Sequence, residues 1–167
     1  MSETESVTVV RILGEEYRIR GASSERITAL AGYVDERHRA DRQVVLCGDF
    51  NVCPAPIDSW NEEGHAGAIF HTDEERARFR RLIDWGLRDA YRERFPDRQE
   101  FSWWDYRGGA FHRKHGLRID FLLATESVMS RVASVEIDRE ERKKTDGLTP
   151  SDHAPVILDL DDPTGGP

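Results

Sequence analysis

At 167 residues the chain has room for one ordinary domain with its own core, or for one domain and an appendage. Apolar residues make up 38% and charged residues 34%, and no apolar run approaches the roughly 20 residues that cross a bilayer, so a membrane span is not expected, nor a secretory leader. The formal charge of -8 argues against broad, non-specific nucleic-acid binding, but not against a nuclease, because a bound cation reverses the local effect of clustered carboxylates.

In chain order, Val7 to Leu13, then Gly14, then Glu15 to Arg20 reads as two strands joined by a tight turn and ended by Gly21. Ser23 or Ser24 can cap a helix whose apolar stripe is Ile27, Leu30, Ala31 and Val34, running to about His38. His38, between Arg37 and Arg39, reads as a solvated cation at a helix end. Val7 to Gly21 and Tyr33-Val34-Asp35-Glu36 resemble the start of a family of small cell-division proteins that bind the tubulin-like division ring. The long coiled-coil helix of that family does not follow, because after about Arg42 the chain turns into a strand.

That strand is Val44-Val45-Leu46-Cys47, continued by Gly48-Asp49-Phe50-Asn51. It reads as a buried strand ending in polar chemistry. Residues i and i+2 share a strand face, so Asp49 and Asn51 can address one object; the alternative is a simple Asx turn. Cys47 and Cys53 are too few for a disulfide framework, and the place of Cys47 in a buried run points to a reduced, cytoplasmic protein. Pro54 and Pro56 end the strand, and a polar loop follows in which His65 and His71 read as surface residues. Thr72-Asp73-Glu74-Glu75 is a capping box. It opens a helix with Phe79, Leu82 and Ile83 on one face, Arg76, Arg80 and Arg81 largely on others, and Gly86 as its stop.

Phe101-Ser102-Trp103-Trp104-Asp105-Tyr106-Arg107, beside Gly108-Gly109, suits a core-edge loop, or a pocket where a sugar or base stacks and Arg107 meets phosphate. Leu117 to Ala124 is a second strong strand, with Ile119, Phe121 and Leu123 on one face and Arg118, Asp120 and Leu122 on the other. A buried, ionised and unpaired Asp120 would cost several kcal/mol, so it wants a partner such as histidine. Residues 125–147 are polar, with a weak strand at Ala133 to Ile137 and a mobile loop expected around Glu140 to Gly147. Ser151-Asp152-His153-Ala154-Pro155 then leads into a third strand, Val156 to Leu160, and 161–167 reads as a disordered tail. Three strands thus carry polar groups that a structural core would not select: Asp49 with Asn51, Asp120, and Asp152 with His153. Metal-assisted phosphoester hydrolysis wants such a set. A carboxylate and a metal position water, an amide holds phosphate, and a histidine stabilises the developing charge. A second carboxylate would fix the histidine tautomer.

Residues 41–160 closely resemble the C-terminal half of the exonuclease III family of abasic-site endonucleases, within the endonuclease/exonuclease/phosphatase superfamily. The resemblance is carried by Gly48 to Asn51, Asp84 to Asp89, Phe101 to Arg107, Leu117 to Leu123 and Ser151 to Pro155. It implies an α+β fold, half of a two-layer β-sandwich with flanking helices, preceded here by the hairpin and helix of residues 1–40. It also implies a DNA-repair nuclease using Mg²⁺ or Mn²⁺ at abasic sites and 3′ ends. By this resemblance Asp49 would activate water, Asn51 would bind the scissile phosphate, and His153 with its partner Asp120 would stabilise the transition state. Asp152 would sit by the metal, Trp103 would line the pocket for the abasic sugar, and Arg107 would face DNA. The family's first half supplies an early Asn, a metal-binding Glu and a phosphate-contacting Tyr; this sequence shows no such half, and neither Glu15 nor Glu16 sits in that Glu motif. A truncated or fused nuclease is therefore the first reading. An inactive remnant with a binding role, or a superfamily phosphatase, is the alternative. An uncovered sheet face would invite a homodimer.

Overall fold

The computed structural model describes residues 7–12, 15–20, 23–143 and 147–162. The expected tail beyond 162, the middle of the 140–147 loop and the side chains that would cap the first helix lie outside these. β1 (Val7–Ile12) and β2 (Glu15–Arg20) form an antiparallel pair with Val7 opposite Arg20. α1 (Ser23–Arg37) follows, then β3 (Val45–Asp49), a 3-10 turn at Pro56–Asp58, α2 (Glu62–His65) and α3 (Asp73–Asp84). Next come β4 (Leu87–Asp89), α4 (Ala90–Arg94), α5 (Ala110–Arg113), β5 (Asp120–Thr125), α6 (Glu126–Met129), β6 (Val132–Ile137) and β7 (Val156–Leu160). The mixture is α+β, as expected.

β5 is the centre of a three-stranded antiparallel sheet in the order β3-β5-β4, and β6 and β7 form a separate antiparallel pair. Strand alternation sends Phe121 and Leu123 of β5 to one face and Leu122 to the other. On the first face they meet Leu46 of β3, Val34 of α1, and Phe79 and Leu82 of α3 in one buried core. On the second, Leu122 borders a core built from Tyr91, Trp104, Val135 and Ile137. α1 therefore packs into the same core as the strand that carries Asp49.

The capping box forms as read. The Glu75 amide donates to Thr72 Oγ1 at 3.1 Å, and Glu75 Oε2 accepts from the Thr72 amide at 3.0 Å. α3 ends at Asp84, and Gly86 turns the chain at φ +120°, where a Cβ would stand 2.8 Å from that of Ala40. Arg80 and Arg81 are exposed, whereas Arg76 reaches inward to the Cys53 carbonyl at 2.9 Å and to Glu62 at 2.6 Å.

Two expectations are corrected. Cys47 is exposed, because helices cover only the Leu46 face of β3. An unbroken apolar run suggests a strand buried on both faces, but this one is buried on one. His71 is buried, not a surface loop residue: its Nε2 lies 2.9 Å from Ser59 Oγ and its Nδ1 3.1 Å from the Ile69 carbonyl.

Candidate active site

β3 and β5 are in register so that Asp49 stands directly opposite Asp120. Opposed side chains on one sheet face lie roughly 5 Å apart, and like charges placed so repel. Two features of the sequence make the pairing tolerable. The first is Asn51, whose backbone takes the left-handed conformation at φ +52°, a geometry that asparagine accepts more readily than most residues. That turn brings its amide to Asp49 Oδ1 at 2.9 Å and its carboxamide Nδ2 to Asp49 Oδ2 at 2.8 Å. The second is His153, whose Nδ1 lies 2.9 and 3.1 Å from the two Asp120 oxygens.

The loops that deliver His153 are tied to one another and to β5 by main-chain and side-chain hydrogen bonds. Ser102 Oγ accepts the amides of Ile119 and Asp120, both at 3.1 Å, and the Ser102 carbonyl accepts from Ala154 at 2.7 Å. Trp103 bridges to Leu117 on one side and to His153 on the other. Its indole Nε1 donates to Asp152 Oδ2 at 3.0 Å, and the Trp104 amide donates to the Asp152 carbonyl at 3.1 Å. Ser102 is fully buried and was not singled out in the sequence, since a lone serine carries no periodic signal.

The electrostatics follow from this packing. Burial, and then the Asp120 charge, raise the Asp49 carboxyl above the ordinary aspartate value, while the Asn51 bonds and His153 offset part of that. For His153 burial disfavours the cation, but the hydrogen bond and charge of Asp120, with Asp49 and Asp152 adding, outweigh it and raise its pKa. The pair thus strengthens the hold of His153 on a proton, with Nδ1 turned to Asp120 and, among the described residues, no partner at Nε2.

Asp49, Asn51, Asp120 and His153 come together, with Asp152 joined through Trp103. Arg107 does not join them. Its exposed side chain is held by Asp105, with Nη2 2.7 Å from Oδ2. Trp103 is half-buried and lines a cavity of about 390 Å³ with Trp60, Phe70, His115 and Leu117, and Arg107 stands on the same rim. Among the described residues, no three His, Cys, Asp or Glu side chains converge as a metal-binding group. The described residues do not complete a divalent-metal site by themselves.

A second network fixes the loops and was missed in the sequence. Arg118, buried just before β5, binds Asp58 at 2.7 Å and Asp89 at 2.7 Å, and Arg92 also binds Asp58 at 2.7 Å. Its charge is held by those carboxylates although burial opposes it.

The model of the endonuclease/exonuclease/phosphatase family matches residues 15–153. An exodeoxyribonuclease of Bacillus subtilis is 34% identical over 131 residues, 78% of this chain and 49% of that protein. Among solved structures, a 3′ phosphatase from Neisseria bound to product DNA hairpin is 38% identical over 82% of this chain and 52% of that one, with a TM-score of 0.75. An AP endonuclease from Archaeoglobus fulgidus, 24% identical with a TM-score of 0.77 over 93% of this chain and 65% of that one, supports the fold. The chain spans about half the length of the curated relatives it matches. The match begins at the first residue of β2, and the division-protein resemblance of residues 1–40 finds no support in these likenesses.

Proposed function

The chain belongs to the endonuclease/exonuclease/phosphatase family, and from that premise we propose that it carries part of a phosphodiesterase site that acts on DNA, at abasic sites and 3′ ends. The observation that carries the reading is the arrangement of Asp120 and His153, 2.9 Å apart, across the strand pair from Asp49 with Asn51 folded over it. In this reading Asp49 takes a proton from the attacking water, its basicity raised by burial and by Asp120. Asn51 holds the carboxylate and meets the scissile phosphate. His153, whose hold on a proton Asp120 strengthens, faces the charge that grows on the phosphoryl oxygens as the ester bond breaks.

Members of this family generally depend on a divalent metal. Mg²⁺ or Mn²⁺ is the ion we assign, with Asp152 as the carboxylate nearest to it and further donors coming from outside the described residues. The reading also assigns Trp103 to the sugar, Arg107 to the DNA backbone and the protein to the cytoplasm. Among the described residues no helix is long and apolar enough to cross a membrane.

The test is an oligonucleotide with one abasic site, incubated with the purified chain and Mg²⁺ or Mn²⁺. We expect nicking 5′ to the lesion, lowered about 10²–10⁴-fold by Asp49→Asn or His153→Ala, the range for loss of a proton-transfer group. Cleavage no faster than that of the variants would sink the active-enzyme reading. A second reading is favoured by one observation, the lack of a three-donor group among the described residues. In it, the chain binds DNA but turns over only with a complementary polypeptide. A 3′-phosphorylated oligonucleotide in the same assay distinguishes phosphatase from endonuclease action.

A further inference from the structure

Arg142 is 94% buried, with 6% of its surface exposed, yet among the described residues no carboxylate pairs with it. Its guanidinium lies against the rings of Tyr106, at 4.9 Å, and Phe111, at 5.3 Å. Nη2 reaches the Trp104 carbonyl only at 3.5 Å, and among the described residues Nε has no partner. Buried arginines are ordinarily matched by an anion, as Arg118 is here by Asp58 and Asp89. Arg142 is not.

The same side chain lines a cavity of about 500 Å³, with Phe111, His112, Lys143 and Thr149 on the other walls. Asp105, also on the wall, is already bound to Arg107. Arg139 stacks on Phe111 at 4.1 Å and bonds the Phe111 carbonyl at 3.0 Å, again with no carboxylate partner among the described residues. In a chain of net charge -8, one guanidinium without a carboxylate partner among the described residues thus lines this cavity, and that of Arg139 stands behind the same Phe111 ring. Planar guanidinium, ammonium and hydroxyl donors together suit a tetrahedral oxyanion.

The cavity is built by the two loops that shape the candidate site. Asp105 is two residues from Trp103. Thr149 is four residues before His153, at most about 14 Å of extended chain. We propose that this cavity is a subsite for a backbone phosphate of the nucleic-acid strand, close to the phosphate that reacts. The assignment rests on the DNA reading above and names one of its contacts.

Inorganic phosphate tests the chemistry, and an oligonucleotide tests the source. The variants are Arg142→Met, which removes the charge, and Thr149→Trp, which fills the cavity from an exposed position and leaves Arg142 packed. Phosphate should raise the melting temperature of the wild-type chain and leave that of either variant unchanged. Binding of a single-stranded oligonucleotide is then measured with a chelator present, so that cleavage plays no part. The slope of log affinity against log salt should be shallower by about 0.7 in each variant, the loss of one phosphate contact. Thr149→Trp keeps the test readable where Arg142→Met does not fold. If phosphate protection disappears but the slope is unchanged, the ligand is free phosphate and the strand assignment is overturned. If neither changes, the subsite is overturned while DNA binding by the wild type stands. Phosphate protection without any oligonucleotide binding overturns the strand assignment and the DNA reading together.

Discussion

Asp49 and Asp120 can face each other because each has a hydrogen-bonding partner at close range. Asn51 supplies two donors to Asp49, and His153 sets its Nδ1 against Asp120. The need for such a partner was legible in the sequence, since a carboxylate in the middle of an apolar strand is costly alone. Its identity as His153 came from the resemblance to the exonuclease III family. The two cysteines show the limit of the same reasoning. Cys47 lies in an apolar run yet faces outward, while Cys53 follows the strand and is fully buried. Burial, then the charges of Asp58 and Glu62, push the Cys53 thiol well above its ordinary value. We expect a thiol reagent to label Cys47 within the folded protein and to reach Cys53 only in denaturant, read by peptide mass spectrometry. Labelling of both at equal rates would contradict the placement of β3.

Among the elements, the hinge between loops and sheet is ionic. Arg118 joins the 3-10 turn at Pro56–Asp58, through Asp58, to the end of β4, through Asp89, and Arg92 of α4 closes on the same Asp58. Truncating one member leaves the others charged and buried, which typically costs about 3–5 kcal/mol. Arg118→Met should therefore lower stability by that order in urea denaturation. Arg118→Met combined with Asp58→Asn should lose less than the sum of the two single variants, because the second change removes a charge that the first leaves unpaired. Strict additivity would mean that the residues do not act as one network. Little of this was legible beforehand. The apolar runs announced β3, β5 and β7, and the capping box announced α3, because those signals are local. Asp58 and Arg118 are 60 positions apart, and their pairing leaves no periodicity to read. The four-residue helices α2, α5 and α6 are shorter than one and a half turns, too short to show a 3.6-residue pattern.

For the whole molecule, the question is whether the N-terminal helix is an appendage or part of the unit that bears the site. The sequence suggested a boundary near residue 40, because the first segment resembled a different family. The packing argues otherwise: Ile27, Leu30 and Val34 of α1 share a buried cluster with Leu46, Phe79, Leu82 and Phe121. Val34 is fully buried, and among the described residues α3 is the other helix in that cluster. Deleting α1 would expose several large side chains, each worth about 1.5–3 kcal/mol when buried. That sum exceeds much of the 5–15 kcal/mol by which a domain of this size is ordinarily stable. A chain starting at residue 41 should therefore be insoluble or molten, with lost near-ultraviolet dichroism and binding of a hydrophobic dye. Val34→Asp in the full chain should reproduce the effect, because it buries a charge without a partner at the centre of the same cluster. Val34→Ile should be nearly neutral by comparison. A well-folded, cooperatively melting fragment 41–167 would restore the boundary at residue 40, and with it the idea that two unrelated segments were joined.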